Sequence, residues 1–308
     1  MLPILLNYFN LPDEETLRLQ LGDDIRWLTP QYFPGIYRHP EGKGIFDLWQ
    51  NKKSLGEAGP LAGCENVKEI DNYEWPDPDY LDFSGFLPVL DNAGNYYRAS
   101  GFWAPFFHDI ADLFGMENYF LKMYTNPEVV HAVTERVCGF YLEANERFFH
   151  EAGDLVDGYF FGNDFGTQMD LLITPEQFEE YLLPWIIRFA EQAHRHGCQV
   201  LFHSCGSVAR IIPLLIEAGV DCLHPLQSKA SRMDAGTLAK EFGGRLAFMG
   251  GIDTQDVLVN ASAEEVREEV RRVKRLLSPN LIISPSHEAL LPNVPPQNVL
   301  AMAEAALE

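Results

Sequence analysis

From about residue 157 onward, short runs of apolar and β-branched residues each end in a small polar cluster, and amphipathic stretches separate them. The runs are GYFFGND from Gly158, QVLFH from Gln199, VDCLHP from Val220, LAFMGG from Leu246 and LIISPSH from Leu281. Runs this short, bounded by Gly, Pro, Ser and Asn, predict buried strands. The stretches between them predict helices. Ser262 opens the clearest one, with Glu265 placed for a capping box and Val266, Val270, Val273 and Leu277 on one stripe. Thr174-Pro175-Glu176-Gln177 opens another, which runs to His196-Gly197 and bends near Pro184. Further helices are expected from Asp13 to Leu21 and from Pro127 to His150, the latter capped by Asn126.

Strands that alternate with helices are βα units, which build a parallel sheet. In a (β/α)8 barrel the chemistry lies at the C-terminal strand ends. Each polar cluster falls there, so Asn163, Asp164, His203, Cys205, His224, Gln227, Gly251, Asp253, Ser286 and His287 are expected to rim one mouth. The first third is less regular. Residues 30–105 are rich in Pro, Gly, Tyr and Trp and read as loops and short strands over the barrel mouth. The expectation is an α/β fold, a (β/α)8 TIM barrel with an irregular N-terminal extension over its mouth, forming one domain across residues 1–308.

The chain has a net charge of -22 spread along its length, which argues against nucleic acid or anionic membranes as partners. No run approaches the length of a membrane helix, and the apolar opening MLPILLNYFNLP lacks a basic leader; a cytoplasmic protein is expected. Five cysteines, at positions 64, 138, 198, 205 and 222, form no CxxC pair and suit a reducing compartment. Of these, Cys205 alone has a ligand-like neighbour. In QVLFHSCGS the strand alternation sends His203 and Cys205 to the same side, where an imidazole and a thiolate face one point. That donor pair suits zinc, which needs at least one more ligand from a distant part of the chain.

The ordered strings GNDFGTQMDLLITPEQFEEYLLPWIIRF, QVLFHSCGSVARIIPLLIEAGVDCLHPLQ, FMGGIDTQDVL and ISPSHEALLPNVPPQNVLAMAEA resemble the uroporphyrinogen decarboxylase superfamily. Within it the chain is most similar to the branch of zinc-dependent, corrinoid-linked methyltransferases. The resemblance implies a single (β/α)8 barrel and a zinc site made by the HxC pair and a cysteine near the last strand. Here His203 and Cys205 match the pair, the late cysteine is missing, and His287 in SPSHEAL lies close to its position. The implied site is His203, Cys205 and His287 with an open fourth place, which Asp164, Asp253 or Glu288 can complete. Asp164 and His287 are the expected catalytic groups, and Asp164, Gln168, His224, Gln227 and Asp253 the expected substrate contacts.

The resemblance further implies methyl transfer between a small substrate and a corrinoid, methylcobalamin, carried by a partner protein, since no DxHxxG corrinoid-holding string occurs here. A homodimer is a further option. Zinc polarises the leaving heteroatom of a methyl donor or generates a thiolate acceptor. The competing reading is a metal-independent decarboxylase of the same superfamily acting on a carboxylated substrate, with Asp164 and His287 as anchors. Uroporphyrinogen itself is disfavoured, because the arginine-rich RQAGR string is absent and Arg18, Arg26 and Arg38 are isolated. A barrel that has lost catalysis and serves as a binding protein is the third reading.

Overall fold

Seven parallel strands pair in sequence order in the computed structural model, which describes residues 1–46 and 57–308. They are β1 (Ile25–Leu28), β2 (Tyr97–Ser100), β3 (Gly158–Gly162), β4 (Gln199–His203), β5 (Cys222–Leu226), β6 (Ala247–Ile252) and β7 (Leu281–Pro285). The five strands expected in the second half are all present. The eight-stranded closure is not: among the described residues the sheet has seven strands, and β1 and β7 are its unpaired ends. The structure is a curled parallel sheet with helices outside it.

Strand alternation sorts the side chains into two clusters. On the outer face, Tyr159, Phe161, Val200, Phe202, Leu223 and Phe248 pack into the large core under the helices. On the inner face, Ala99, Phe160, Leu201, Cys222 and Met249 form a smaller cluster that the sheet curls around. A run buried on both faces cannot alternate in polarity, which is why β3 to β6 read as continuous apolar strings.

The helices follow their local signals with one exception: Asn126, expected to cap Pro127–Ala152, makes no side-chain cap bond, and its Oδ1 instead accepts the Thr125 hydroxyl at 2.8 Å. Capping boxes at Thr174 and Ser262 are both formed. The bend expected near Pro184 is a break: one helix ends at Tyr181 and the next runs Leu183–Arg195, because proline donates no N–H to the preceding turn. The 26-residue helix Pro127–Ala152 carries Asn145, which clamps the exit of β2. Its Oδ1 accepts the Phe102 N–H at 2.8 Å, and its Nδ2 donates to the Phe102 carbonyl at 3.0 Å.

In the first third the structure places β1 and β2, along with short helices such as Val67–Ile70 and Leu87–Asp91. Both strands carry arginines that obscure the pattern. Arg26 is buried by a bidentate pair with Glu15, at 2.7 and 3.0 Å, and lies over the Tyr96 ring. Arg98 pairs with Asp157 at 3.0 Å.

The loops that leave β3 and β4 cross closely. Gly206 has φ +85°, and a Cβ there would lie 2.3 Å from the Gly166 carbonyl oxygen; a Cβ on Gly166 would meet the Ser207 nitrogen at 2.7 Å. Both positions therefore require glycine. Substituting Gly206→Ala is expected to destabilise the fold by more than about 1 kcal/mol, since strain and clash act together; urea denaturation of the variant checks this.

Asp109, in the helix Phe106–Phe114, is buried, has no ion-pair cation among the described residues, and accepts the Tyr141 hydroxyl at 2.6 Å. Burial raises its carboxyl from 3.8 to about 7, against the hydrogen bond from Tyr141 and with the aid of Asp112. A raised acid makes its largest contribution below the unfolded-state value, and that contribution is lost as pH climbs from about 4 to 7. Wild-type stability relative to Asp109→Asn is thus expected to fall across that window by an amount of the order of 4 kcal/mol. Denaturation midpoints of both proteins between pH 4 and 8 measure it, and parallel curves would refute it.

Candidate metal centre

β3, β4 and β5 pair so that Phe161 aligns with Phe202, Gly162 with His203, and His203 with His224. Leu201 and Cys222 belong to the inner cluster, so the residues two further on, His203 and His224, share that face at the C-terminal end. Their Nδ1 atoms lie 3.0 Å apart. Trp103 stands edge-on to His203 at 5.8 Å, and Phe160 packs against His224 at 5.2 Å. Both imidazoles are buried.

Asp164 follows β3 and reaches across to β4. Its Oδ1 lies 3.1 Å from His203 Nε2 and accepts the Cys205 N–H at 3.0 Å. Cys205 Sγ is 3.7 Å from the same Nε2. An imidazole, a thiol and a carboxylate therefore converge on one point, their ligand atoms within 4.8 Å of one another. A tetrahedral zinc with bonds of about 2.3 Å to sulfur and about 2.0 Å to nitrogen or oxygen separates its ligand atoms by roughly 3.3 to 3.6 Å. The observed separations of 3.1 and 3.7 Å fit such an ion with small adjustments.

A second cluster shares the thiol: Cys205, His287 and Glu288 also offer ligand atoms within 4.8 Å of one another. His287 Nδ1 accepts the Ala289 N–H at 3.0 Å. A neutral imidazole has one bare nitrogen, so this bond leaves the His287 proton on Nε2 and makes that atom a donor. His203 differs. Its Nδ1 can donate to His224 Nδ1, which frees Nε2 as a lone pair for an ion; with the proton arrangement reversed, Nε2 donates to Asp164.

The electrostatics suit this arrangement. Burial, with the nearby charge of His203 and His287, depresses His224 to about 3, so it stays neutral and can accept the His203 proton. Burial alone would raise Asp164, but the hydrogen bonds from His203 and the Cys205 N–H outweigh it and hold the carboxyl well below the usual range. The Cys205 thiol is pushed well up by burial and by the negative charges of Asp164 and Glu288. Without a cation it is a thiol, and a cation is what converts it to a ligand.

The remaining expected residues take different places. Gln227 Oε1 accepts both the Gly206 N–H and the Gln168 Nε2 donor at 3.0 Å, and so pins the loop carrying Cys205. Asp253 is buried, and its carboxylate accepts the backbone N–H groups of Gln255, Asp256 and Val257 between 2.8 and 3.2 Å, capping the turn after β6. Asn163 holds the start of the Phe106–Phe114 helix through the Phe107 N–H at 2.8 Å. Trp103 and Phe160, which wall the two histidines, went unmarked in the sequence. The string GFWAP just beyond β2 is the signal for Trp103, hidden because β2 itself is short.

Three comparisons bear on this site. The profile of the uroporphyrinogen decarboxylase (URO-D) family matches residues 104–308. A methylated-thiol--coenzyme M methyltransferase of Methanosarcina mazei is 23% identical over 194 residues, and the match covers 61% of this chain and 45% of that protein. A solved structure of a methyltransferase from Methanosarcina mazei aligns with a TM-score of 0.65 at 14% identity, covering 98% of this chain and 89% of the other. At that identity the structural likeness concerns the fold. The matched profile spans β3 to β7 and every group of both clusters, and the chain belongs to the uroporphyrinogen decarboxylase family.

Proposed function

We propose that the protein is a zinc-dependent methyltransferase that moves a methyl group between a small substrate and a corrinoid carried by a partner protein. The observation that carries the reading is the convergence of His203 Nε2, Cys205 Sγ and Asp164 Oδ1 at the C-terminal strand ends. The similarity to a protein named as a methylated-thiol methyltransferase supports the direction of the chemistry, with a thiol or thioether as the small partner. Bound zinc would supply Lewis acidity toward a substrate sulfur or oxygen in its open position.

The protein's own groups divide the remaining work. His203, Cys205 and Asp164 form the ligand set, and His224 orients His203 by taking its Nδ1 proton. His287 Nε2, a donor while Ala289 holds Nδ1, is placed to hydrogen-bond a substrate heteroatom beside Cys205, and it joins the ligand set only by giving up that backbone contact. Trp103 and Phe160 keep water from the imidazole pair. The aromatic, proline-rich first third of the chain is the proposed docking face for the corrinoid protein. With Gln227 and Asp253 engaged by backbone N–H groups and Asp164 in the ligand set, His287 is the polar group proposed to face a substrate.

Purified without chelator, the protein should hold one zinc per chain by elemental analysis, and Cys205→Ala or His203→Ala should lose it. Replacing the orienting partner, His224→Phe, should weaken zinc about 10- to 100-fold. His287→Gln should keep the metal and lower methyl transfer from methylcobalamin to a small thiol, followed by the change in visible absorbance. A folded protein that binds no zinc would overturn the proposal and favour the metal-independent decarboxylase.

A further inference from the structure

Four imidazoles gather at the C-terminal strand ends, and three of them have their nitrogens committed. His203 and His224 hold one proton between their Nδ1 atoms, and His203 Nε2 faces Asp164 and Cys205. His287 spends Nδ1 on the Ala289 N–H and sets Nε2 3.5 Å from Glu288. The fourth is His108, partly buried in the first turn of the helix Phe106–Phe114 that follows β2. Among the described residues neither of its ring nitrogens has a hydrogen-bond or ion-pair partner, and neither is sealed from solvent.

The backbone around His108 brings it to the metal centre. Asn163 Oδ1 accepts the Phe107 N–H at 2.8 Å and Asn163 Nδ2 donates to the Ala104 carbonyl at 3.4 Å, so the first helical turn is tied to the residue before Asp164. Phe107 and Phe165 then pack edge to face at 5.2 Å. His108 and Asp164 each adjoin a member of these contacts, and their charges act on one another. Burial, opposed by Asp164 and by Asp112 of its own helix and aided by His203, holds His108 below the usual histidine range. The positive end of the helix also disfavours an imidazolium there. His108 is therefore a neutral imidazole with a free lone pair, on the β2 flank of the centre as His287 is on the β7 flank.

We propose that His108 is a further catalytic residue, the base that accepts the proton of a thiol substrate bound between it and the Cys205 loop. The assignment rests on the methyl-transfer reading and specifies the small partner as a protonated thiol. Such a thiol becomes a methyl acceptor only by losing its proton: the S–H bond breaks, its electron pair stays on sulfur, and the proton forms an N–H bond on the His108 ring. In the reverse direction the imidazolium returns that proton to the departing thiolate. The neighbouring groups are unsuited to the task. Asp164 is held well below the usual carboxylate range, His224 is depressed to about 3, His287 Nε2 already carries a proton, and Glu288 faces that donor.

Calorimetric titration of the zinc-loaded protein at pH 7 tests the assignment with two probes. One is 2-mercaptoethanol, which sheds a proton on binding as a thiolate; the other is its methyl thioether, 2-(methylthio)ethanol, which has no such proton. The variants are His108→Gln and His108→Phe, checked for folding by thermal melting and for zinc by elemental analysis, and either one that folds suffices. Each is expected to keep its zinc, to bind the thiol roughly tenfold more weakly than wild type and the thioether within about twofold of it, and to slow methyl transfer from methylcobalamin to the thiol. Unchanged affinity for the thiol takes His108 out of the proton's path, and equal weakening toward both probes leaves it a structural role; either result overturns the assignment while the methyl-transfer reading stands. A wild type that holds no zinc overturns that reading first, and the assignment falls with it.

Discussion

His203 and His224 stand side by side because β4 and β5 pair in register and both residues face inward, and their 3.0 Å contact organises everything at the mouth. With one proton between two Nδ1 atoms, the pair decides whether His203 Nε2 is a donor to Asp164 or a lone pair for a cation. Asp164 in turn holds the Cys205 N–H, which fixes where the thiol sits. The loop that makes this possible depends on two glycines crossing at a distance no side chain tolerates.

Burial works on these groups in different directions. It keeps His224 neutral and the Cys205 thiol protonated, yet it fails to neutralise Asp164, because two hydrogen bonds to that carboxylate outweigh the desolvation. A half-exposed anion between a buried imidazole and a reluctant thiol attracts a cation, and a divalent ion relieves all three at once. This is the physical basis for reading the cluster as a metal centre, beside the family membership that the profile establishes for residues 104–308.

The same sheet is incomplete on the opposite side of its interior. Seven strands curl far enough to bring β1 and β7 to face one another but leave an apolar cavity between them. The polar cluster is built from the ends of β3, β4, β5 and β7, and three of these are interior strands of the ladder. His287, just past β7, is the group carried by an end strand.

The second half of the fold was legible in the sequence, because strands buried on both faces are unbroken apolar runs and capped amphipathic helices carry their own start signals. The HxC pair was legible for the same reason: alternation along one strand sends both side chains to one side. β1 and β2 were hidden, since Arg26 and Arg98 interrupt strands of only four residues and find their partners, Glu15 and Asp157, elsewhere in the chain. Tertiary structure alone decided the partners across strands. That Asp164 meets His203, that Gln227 and Asp253 are spent on backbone N–H groups, and that β7 does not close on β1 depend on register and curl, which bring together residues far apart in the chain and leave no periodic trace in it.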